Sequence, residues 1–199
     1  MTAKKKVVKS QVTALVLRSC AEDMSSHGGF VWPGVGENAT APDWINNKEC
    51  GNGLHGWLYG QGDHSVSSYT DEKAKWLVVE VVESGIVMLG GKCKFESAVV
   101  RFVGDKKGAG DFMMQNEPRS MSVAIIGATK SCGKNESVIV GALGTATAGD
   151  RGTATAGYSG TDARMPSTWV ITVTLCVGVT VPRASIYTGT SCGTTATST

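Results

Sequence analysis

Two successive octads, GTATAGDR and GTATAGYS, run from Gly144 to Ser159 and agree at six positions, and Gly133, Gly141, Gly149 and Gly157 carry the same spacing of eight. A period this regular marks an array of identical structural units, each too small to bury a core alone. In a strand the side chains alternate between faces, so Thr145 and Thr147 point one way and Ala146 the other; Thr153, Thr155 and Ala154 follow the same rule. Two octads would make one coil of about sixteen residues with two short strands and glycine-containing corners, and coils stacked at about 4.8 Å would align the threonines in rows. The pattern therefore predicts a short β-solenoid (β-helix) segment over 133–164, with alanines filling a thin interior. Outside, hydroxyls and methyls would be held on a regular lattice able to order water. Threonine is also simply a good strand former on a solvated face, and the repeat alone leaves both readings open.

Upstream, residues 12–112 read as an α+β or mainly β globular domain. The run Val12–Arg18 suits a strand, and Ala21–Ser26 could continue it as a brief helix. Residues 28–53 form a long loop punctuated by glycines and prolines and tied down by Phe30, Trp32 and Trp44. Leu54–Tyr59 is a strand or short helix, and Trp76–Val82 is the best buried-strand candidate. Ile86–Leu89 and Val99–Val103 look like two further strands, separated by the Gly90-Gly91 turn and a mixed segment, Lys92–Ser97. Between Gly104 and Arg119 the chain turns polar, and Asn116, Glu117 and Pro118 suggest a linker. The expected organisation is a basic N-terminus at 1–11, the domain at 12–112, a linker and solenoid entry at 113–132, the solenoid at 133–164, and a divergent tail at 165–199.

Charge and hydropathy exclude several classes of function. A formal net charge of +2, with its one basic run at Lys4, Lys5, Lys6 and Lys9, lacks the clustered cations that nucleic acid requires. The apolar run after these lysines is broken by Thr13 and Arg18, too short for an export signal, and nothing approaches the roughly 18 apolar residues of a membrane helix. The six cysteines, Cys20, Cys50, Cys93, Cys132, Cys176 and Cys192, lack the close spacings of zinc or redox motifs and read as free thiols, in either redox compartment.

The segment ALVLRSCAEDMSSHGGFVWP, Ala14–Pro33, resembles the opening of the bacterial ice-nucleation proteins. Further likenesses are Asn52–Leu54, the Leu58–Gly62 stretch, Lys75-Trp76 followed by Glu80-Val81, Lys94-Phe95, and Val99 leading to Val103-Gly104-Asp105. The likeness covers about a hundred residues and runs on into the Thr-x-Thr-Ala-Gly repeat. It implies an N-terminal domain for surface display and assembly, ahead of a solenoid that templates ice. Implied partners are ice or ordered water, further copies of the chain, and the bacterial outer-membrane surface, with Thr145, Thr147, Thr153 and Thr155 as the water-ordering residues. The departure is length: two to three octads are recognisable here, where the family has dozens of coils. The tail departs too. Its Val/Thr alternation from Trp169 to Val181 reads either as a divergent capping strand or as a repeat translated in another frame. A looser similarity is to phage and bacterial proteins that append such octads to a small domain.

Chemistry has one candidate set. Arg18, His55 and Glu80 lie on or near expected strands, as the cofactor-gripping residues of ADP-ribosyltransferases do, but no accompanying motif constrains them. His27, His55 and His64 show no metal-ligand spacing, and the glycines from Gly51 to Gly62 lack the strand-to-helix setting of a phosphate loop. The residues therefore imply no cofactor and no metal, and a role in binding and assembly rather than catalysis. The alternative is a cytoplasmic small-ligand-binding or vestigial ADP-ribosyltransferase-like domain.

Overall fold

The computed structural model describes residues 11–158 and 160, with the backbone alone of three further strands, Thr161–Arg164, Val173–Leu175 and Thr194–Ala196. The basic run Lys4–Lys9, Cys176, Cys192 and the expected strand at 169–181, apart from Val173–Leu175, lie outside the described residues. Val173–Leu175 pairs antiparallel with Thr194–Ala196.

Among the described residues the chain is mainly β with one α-helix. Seven strands, β1 (Thr13–Cys20), β2 (Asn38–Thr40), β3 (Leu54–Leu58), β4 (Lys75–Val82), β5 (Val87–Met88), β6 (Cys93–Phe95) and β7 (Ser97–Gly104), form one antiparallel sheet in the order β2-β7-β4-β1-β3-β6-β5, open at both edges. Central strands β1 and β4 read as near-continuous apolar runs because both sheet faces are covered. Leu15, Leu17, Trp57, Trp76 and Val78 pack on one face. Val16, Leu77, Val79 and Phe95 pack on the other, under Trp32 and Trp44 from the long loop. The expected brief helix at Ala21–Ser26 is instead a turn, in which the Asp23 carboxylate accepts from the Ser25 amide at 2.9 Å and Met24 takes a left-handed φ of 69°.

The first face is covered by α1 (Lys106–Asn116), in the stretch that composition marks as polar linker. Gly108 and Gly110 each weaken an isolated helix by about 1 kcal/mol, which hides it from propensity. Packing explains both glycines. A Cβ on Gly108 would stand 2.8 Å from the Phe102 ring, and one on Gly110 3.0 Å from Ala128 Cα. The boundary expected between 112 and 113 thus falls inside the helix. Glu117, also expected in a linker, is a buried carboxylate at 3% exposure. Strand β3 pairs with β1 only at Val16 and Leu17, and Glu117 accepts the Leu15 amide at 3.2 Å together with two bonds from the Arg119 guanidinium, at 2.7 and 2.8 Å, and one from the Arg119 amide at 3.2 Å. Burial acts to raise the Glu117 pKa, but these hydrogen bonds outweigh it and hold the carboxyl below its ordinary value.

Beyond Ile125 the chain climbs in parallel rungs: β8 (Thr129–Cys132), β9 (Ser137–Val140), β10 (Thr145–Ala148), β11 (Thr153–Ala156) and β12 (Thr161–Arg164). β10 lies between β8 and β12, with Thr145 beside Thr129 and Thr161, a step of sixteen residues each way. β11 pairs with β9 on a second wall at the same step, Thr153 beside Ser137. Ala146, Ala148, Ala154 and Ala156 are buried between the walls. At Gly141, Gly149 and Gly157 the backbone rests on the stretch of chain about sixteen residues earlier. A Cβ on Gly157 would stand 2.7 Å from the Ala142 amide nitrogen, and one on Gly141 2.6 Å from the Ala124 carbonyl. Each corner also turns through a left-handed residue, Gly127, Asn135, Leu143 and Arg151, at φ of 72°, 60°, 59° and 54°.

Sheet and rungs share one core. Ile125, Ile126 and Ala128 join Trp57, Trp76, Ala109 and Met113 to the interior alanines, and the Ile126 amide donates to the Gly60 carbonyl at 2.9 Å. Two stability predictions follow from this packing, both read by urea unfolding. Ala146→Leu overfills the interior and lowers stability by about 1–3 kcal/mol. Arg151→Gly relieves a left-handed residue on an exposed corner and raises stability by about 0.5–1 kcal/mol.

Candidate functional site

Two regions hold most of the residues singled out from the sequence. The first is the pair of rung walls. Thr145 and Thr147 stand half-exposed on the β10 wall, and Thr153 and Thr155 half-exposed on the β11 wall, each flanking inward alanines. The four therefore form two separate patches, divided by the interior. On the β10 wall one register column reads Thr129, Thr145, Thr161 and the next Ser131, Thr147, Ala163. On the β11 wall the columns read Ser137, Thr153 and Ile139, Thr155. Three strands at about 4.8 Å spacing span only about 10 Å across.

The second region is a cavity of about 580 Å³ in the antiparallel sheet. It opens because β3 leaves β1 after Leu17 and turns to pair with β6 through Leu54, His55 and Gly56. Arg18 and His55 both line the split, with Trp57, Tyr69 and Lys92; Trp32 lines it from the long loop. That loop is anchored by Lys94, a fully buried cation whose Nζ donates to Asn47 Oδ1 at 2.6 Å and to the Glu49 carbonyl at 2.9 Å. No spacing in the sequence marks Lys94 for this task; it sits in the short β6 strand, inside the segment Lys92–Ser97 that reads as mixed.

Glu80 is not brought to this cavity. It shares the opposite sheet face with Leu15, its partner across β1–β4, whereas Arg18 pairs with Leu77 and faces the other way. Its carboxylate accepts from Thr13 Oγ1 at 2.7 Å and pairs with Arg101, contacts that hold its pKa below the ordinary value despite partial burial. The triad suggested by the sequence is thus split into a cavity pair and a structural ion pair.

Electrostatically the cavity is positive and incompletely satisfied. Burial lowers the Arg18 pKa, but a guanidinium stays charged in a protein, and among the described residues Arg18 forms no ion pair. Its Nε is buried without a hydrogen-bond partner, and so are Trp32 Nε1 and His55 Nε2. Each such group costs about 1–3 kcal/mol while unpaired. Burial first, and then Lys92, Arg18 and Lys94, lower the His55 pKa to about 4, so the imidazole is neutral near pH 7. The exposed Cys50 thiol, also on the lining, is lowered by the hydrogen bond that Lys92 Nζ donates to it at 3.0 Å. Among the described residues, no three His, Cys, Asp or Glu side chains gather as a metal site.

The family described as Domain of unknown function (DUF7666) matches residues 14–115, from β1 almost to the end of α1. The chain belongs to that family. Its relatives are ice nucleation proteins, as the motifs from Ala14 onward suggest. The chain is 37% identical over 117 residues to the ice nucleation protein of Pseudomonas syringae pv. syringae, covering 57% of this chain and 10% of the relative. It is 36% identical over 107 residues to that of Xanthomonas campestris pv. translucens, covering 52% and 7%. Against the ice nucleation protein of Pseudomonas fluorescens it is 36% identical over 104 residues, covering 51% and 8%. The matches thus span about a tenth of the length of these relatives. No solved structure matches the chain.

The state of His55 makes a pH prediction. The unfolded chain takes a proton on this imidazole near 6.5, whereas the folded chain resists until about 4. The unfolded state therefore binds more protons in that interval, and acidification through it lowers stability. Melting temperatures should fall as pH drops from about 6.5 to about 4, and His55→Gln should flatten that part of the profile.

Proposed function

We propose that this chain is an ice-nucleation-protein-like surface and assembly domain carrying a truncated, threonine-laddered, water-ordering β-solenoid. What carries the reading is the sixteen-residue parallel register that sets Thr145 beside Thr129 and Thr161 with alanines inside. The relatives named ice nucleation proteins supply the context. In this reading a threonine wall holds methyls and hydroxyls at strand spacing, so adsorbed water finds a repeating set of partners in place of a fluctuating surface. The antiparallel sheet and α1 cover the first rung, as a solenoid's terminal cap must. Residues 1–11 and the sheet domain are left to mediate self-association and attachment at the bacterial outer-membrane surface. No helix among the described residues is long and apolar enough to cross a membrane.

The size of the wall sets the expected strength. An ice embryo is stabilised in proportion to the templated area, and a wall about 10 Å across is a small fragment of one. Droplets containing this chain should freeze close to buffer controls, whereas the folded chain should be retained by slowly growing ice. Replacing Thr145, Thr147, Thr153 and Thr155 together by Lys should reduce retention to that of an unrelated protein, with circular dichroism confirming the fold. Freezing many degrees above buffer would contradict the truncated template. Unchanged retention in the quadruple variant would remove the threonines from the role. Light scattering should show oligomers.

A further inference from the structure

No rung residue lines the cavity between β1 and β3. Four side-chain polar atoms are buried without a partner among the described residues, and three of them belong to residues on its lining: Arg18, Trp32 and His55. Packing defects scattered at random would not collect around one cavity. Two of the three atoms, guanidinium Nε and indole Nε1, are obligate donors, so whatever satisfies them must bring acceptors.

Charge narrows the occupant further. Arg18 and Lys92 contribute positive charge, while Asp43 is the one carboxylate on the described lining. Lys92 already contacts the Cys50 thiol, but Arg18 has no counter-ion among the described residues. A planar guanidinium is matched by the paired oxygens of a carboxylate or phosphate. Shape supplies the rest. Phe30, Trp32, Trp57 and Tyr69 give the cavity flat aromatic walls, and 580 Å³ falls within the range of about 300–1,000 Å³ that holds a small organic ligand rather than a bare ion.

We propose that this cavity binds a small organic anion carrying a flat ring, with Arg18 and the Trp32 indole N–H donating to the anionic group and the ring lying against the aromatic walls. Binding requires small rotations of Arg18 and Trp32 that turn their buried donors toward the occupant. His55 offers its remaining nitrogen as a neutral partner, consistent with its depressed pKa. Anchoring of the neighbouring loop by Lys94 pre-organises this side of the site. The site is separate from the threonine walls, so its fate does not depend on the ice-binding reading.

Tryptophan fluorescence of the full chain, titrated with adenosine 5′-monophosphate and in a second arm with 4-hydroxybenzoate, tests the proposal and distinguishes a phosphate from a carboxylate. At least one of them should bind saturably with Kd tighter than about 1 mM. Adenosine and inorganic phosphate, which lack the anion and the ring respectively, should bind at least about tenfold more weakly. Arg18→Gln should weaken binding by about ten- to hundredfold, and Lys92→Gln, at a half-buried position where folding is not at stake, by a few-fold. The bound anion should also slow alkylation of Cys50, read by peptide mass spectrometry. Failure of both ring-bearing anions to saturate overturns the proposal, as does equal binding of adenosine, or affinity unchanged in a folded Lys92→Gln protein and a folded Arg18→Gln protein.

Discussion

The apolar seam at Ile125, Ile126 and Ala128 is the contact on which the rest of the molecule depends. On one side it meets Trp57, Trp76, Ala109 and Met113; on the other it opens into the alanine-filled interior of the rungs. A rung interior made of methyl groups buries too little apolar surface to stand alone, and the first rung needs a covered lower end. The sheet and α1 provide that cover, and they are themselves closed at that end by the residues that begin the rungs. Sheet and rungs therefore stabilise one another. The glycines of α1 belong to the same contact, because Gly110 must let the helix backbone come within reach of Ala128.

A second constraint is the short pairing of β3 with β1. Two consequences follow from the same geometry. At one end the Leu15 amide is left without a strand partner, and the buried Glu117 carboxylate supplies one, bringing Arg119 with it. Beyond Leu17 the strands part and leave a cavity lined by Arg18, Trp32 and His55, where the Arg18 charge and the Arg18 and Trp32 donors find no partner among the described residues. One shortfall is repaired inside the protein. The other is left as a polar recess bordered by aromatic rings.

Much of the strand content was legible from composition and periodicity: β1, β4 and β7 announce themselves as apolar runs, and the octads specify their own alternation. The first rung was not recognisable, because Lys130 and Cys132 occupy the inward positions that later rungs give to alanine. At this lower end Lys130 Nζ can donate to the Val123 carbonyl at 3.0 Å, so a long polar side chain is tolerated there. The helix was hidden by its glycines, and β2 and β6 by their length of three residues each. Of the site residues, Arg18 and His55 could be singled out as chemistry-bearing, while nothing marked Trp32 as more than an anchor.

By itself the sequence determined the period: eight residues between glycines, threonine outside and alanine inside, because alternation along a strand and the absence of a side chain at a crowded corner are local properties of the chain. Only the tertiary structure decided what lies next to what. It placed Thr145 and Thr153 on different walls, sent Glu80 to the opposite sheet face from Arg18, and gathered Arg18, Trp32 and His55 around one recess. Those neighbours come from strand order and from where pairing stops, which depend on burying apolar surface across distant segments rather than on any local pattern.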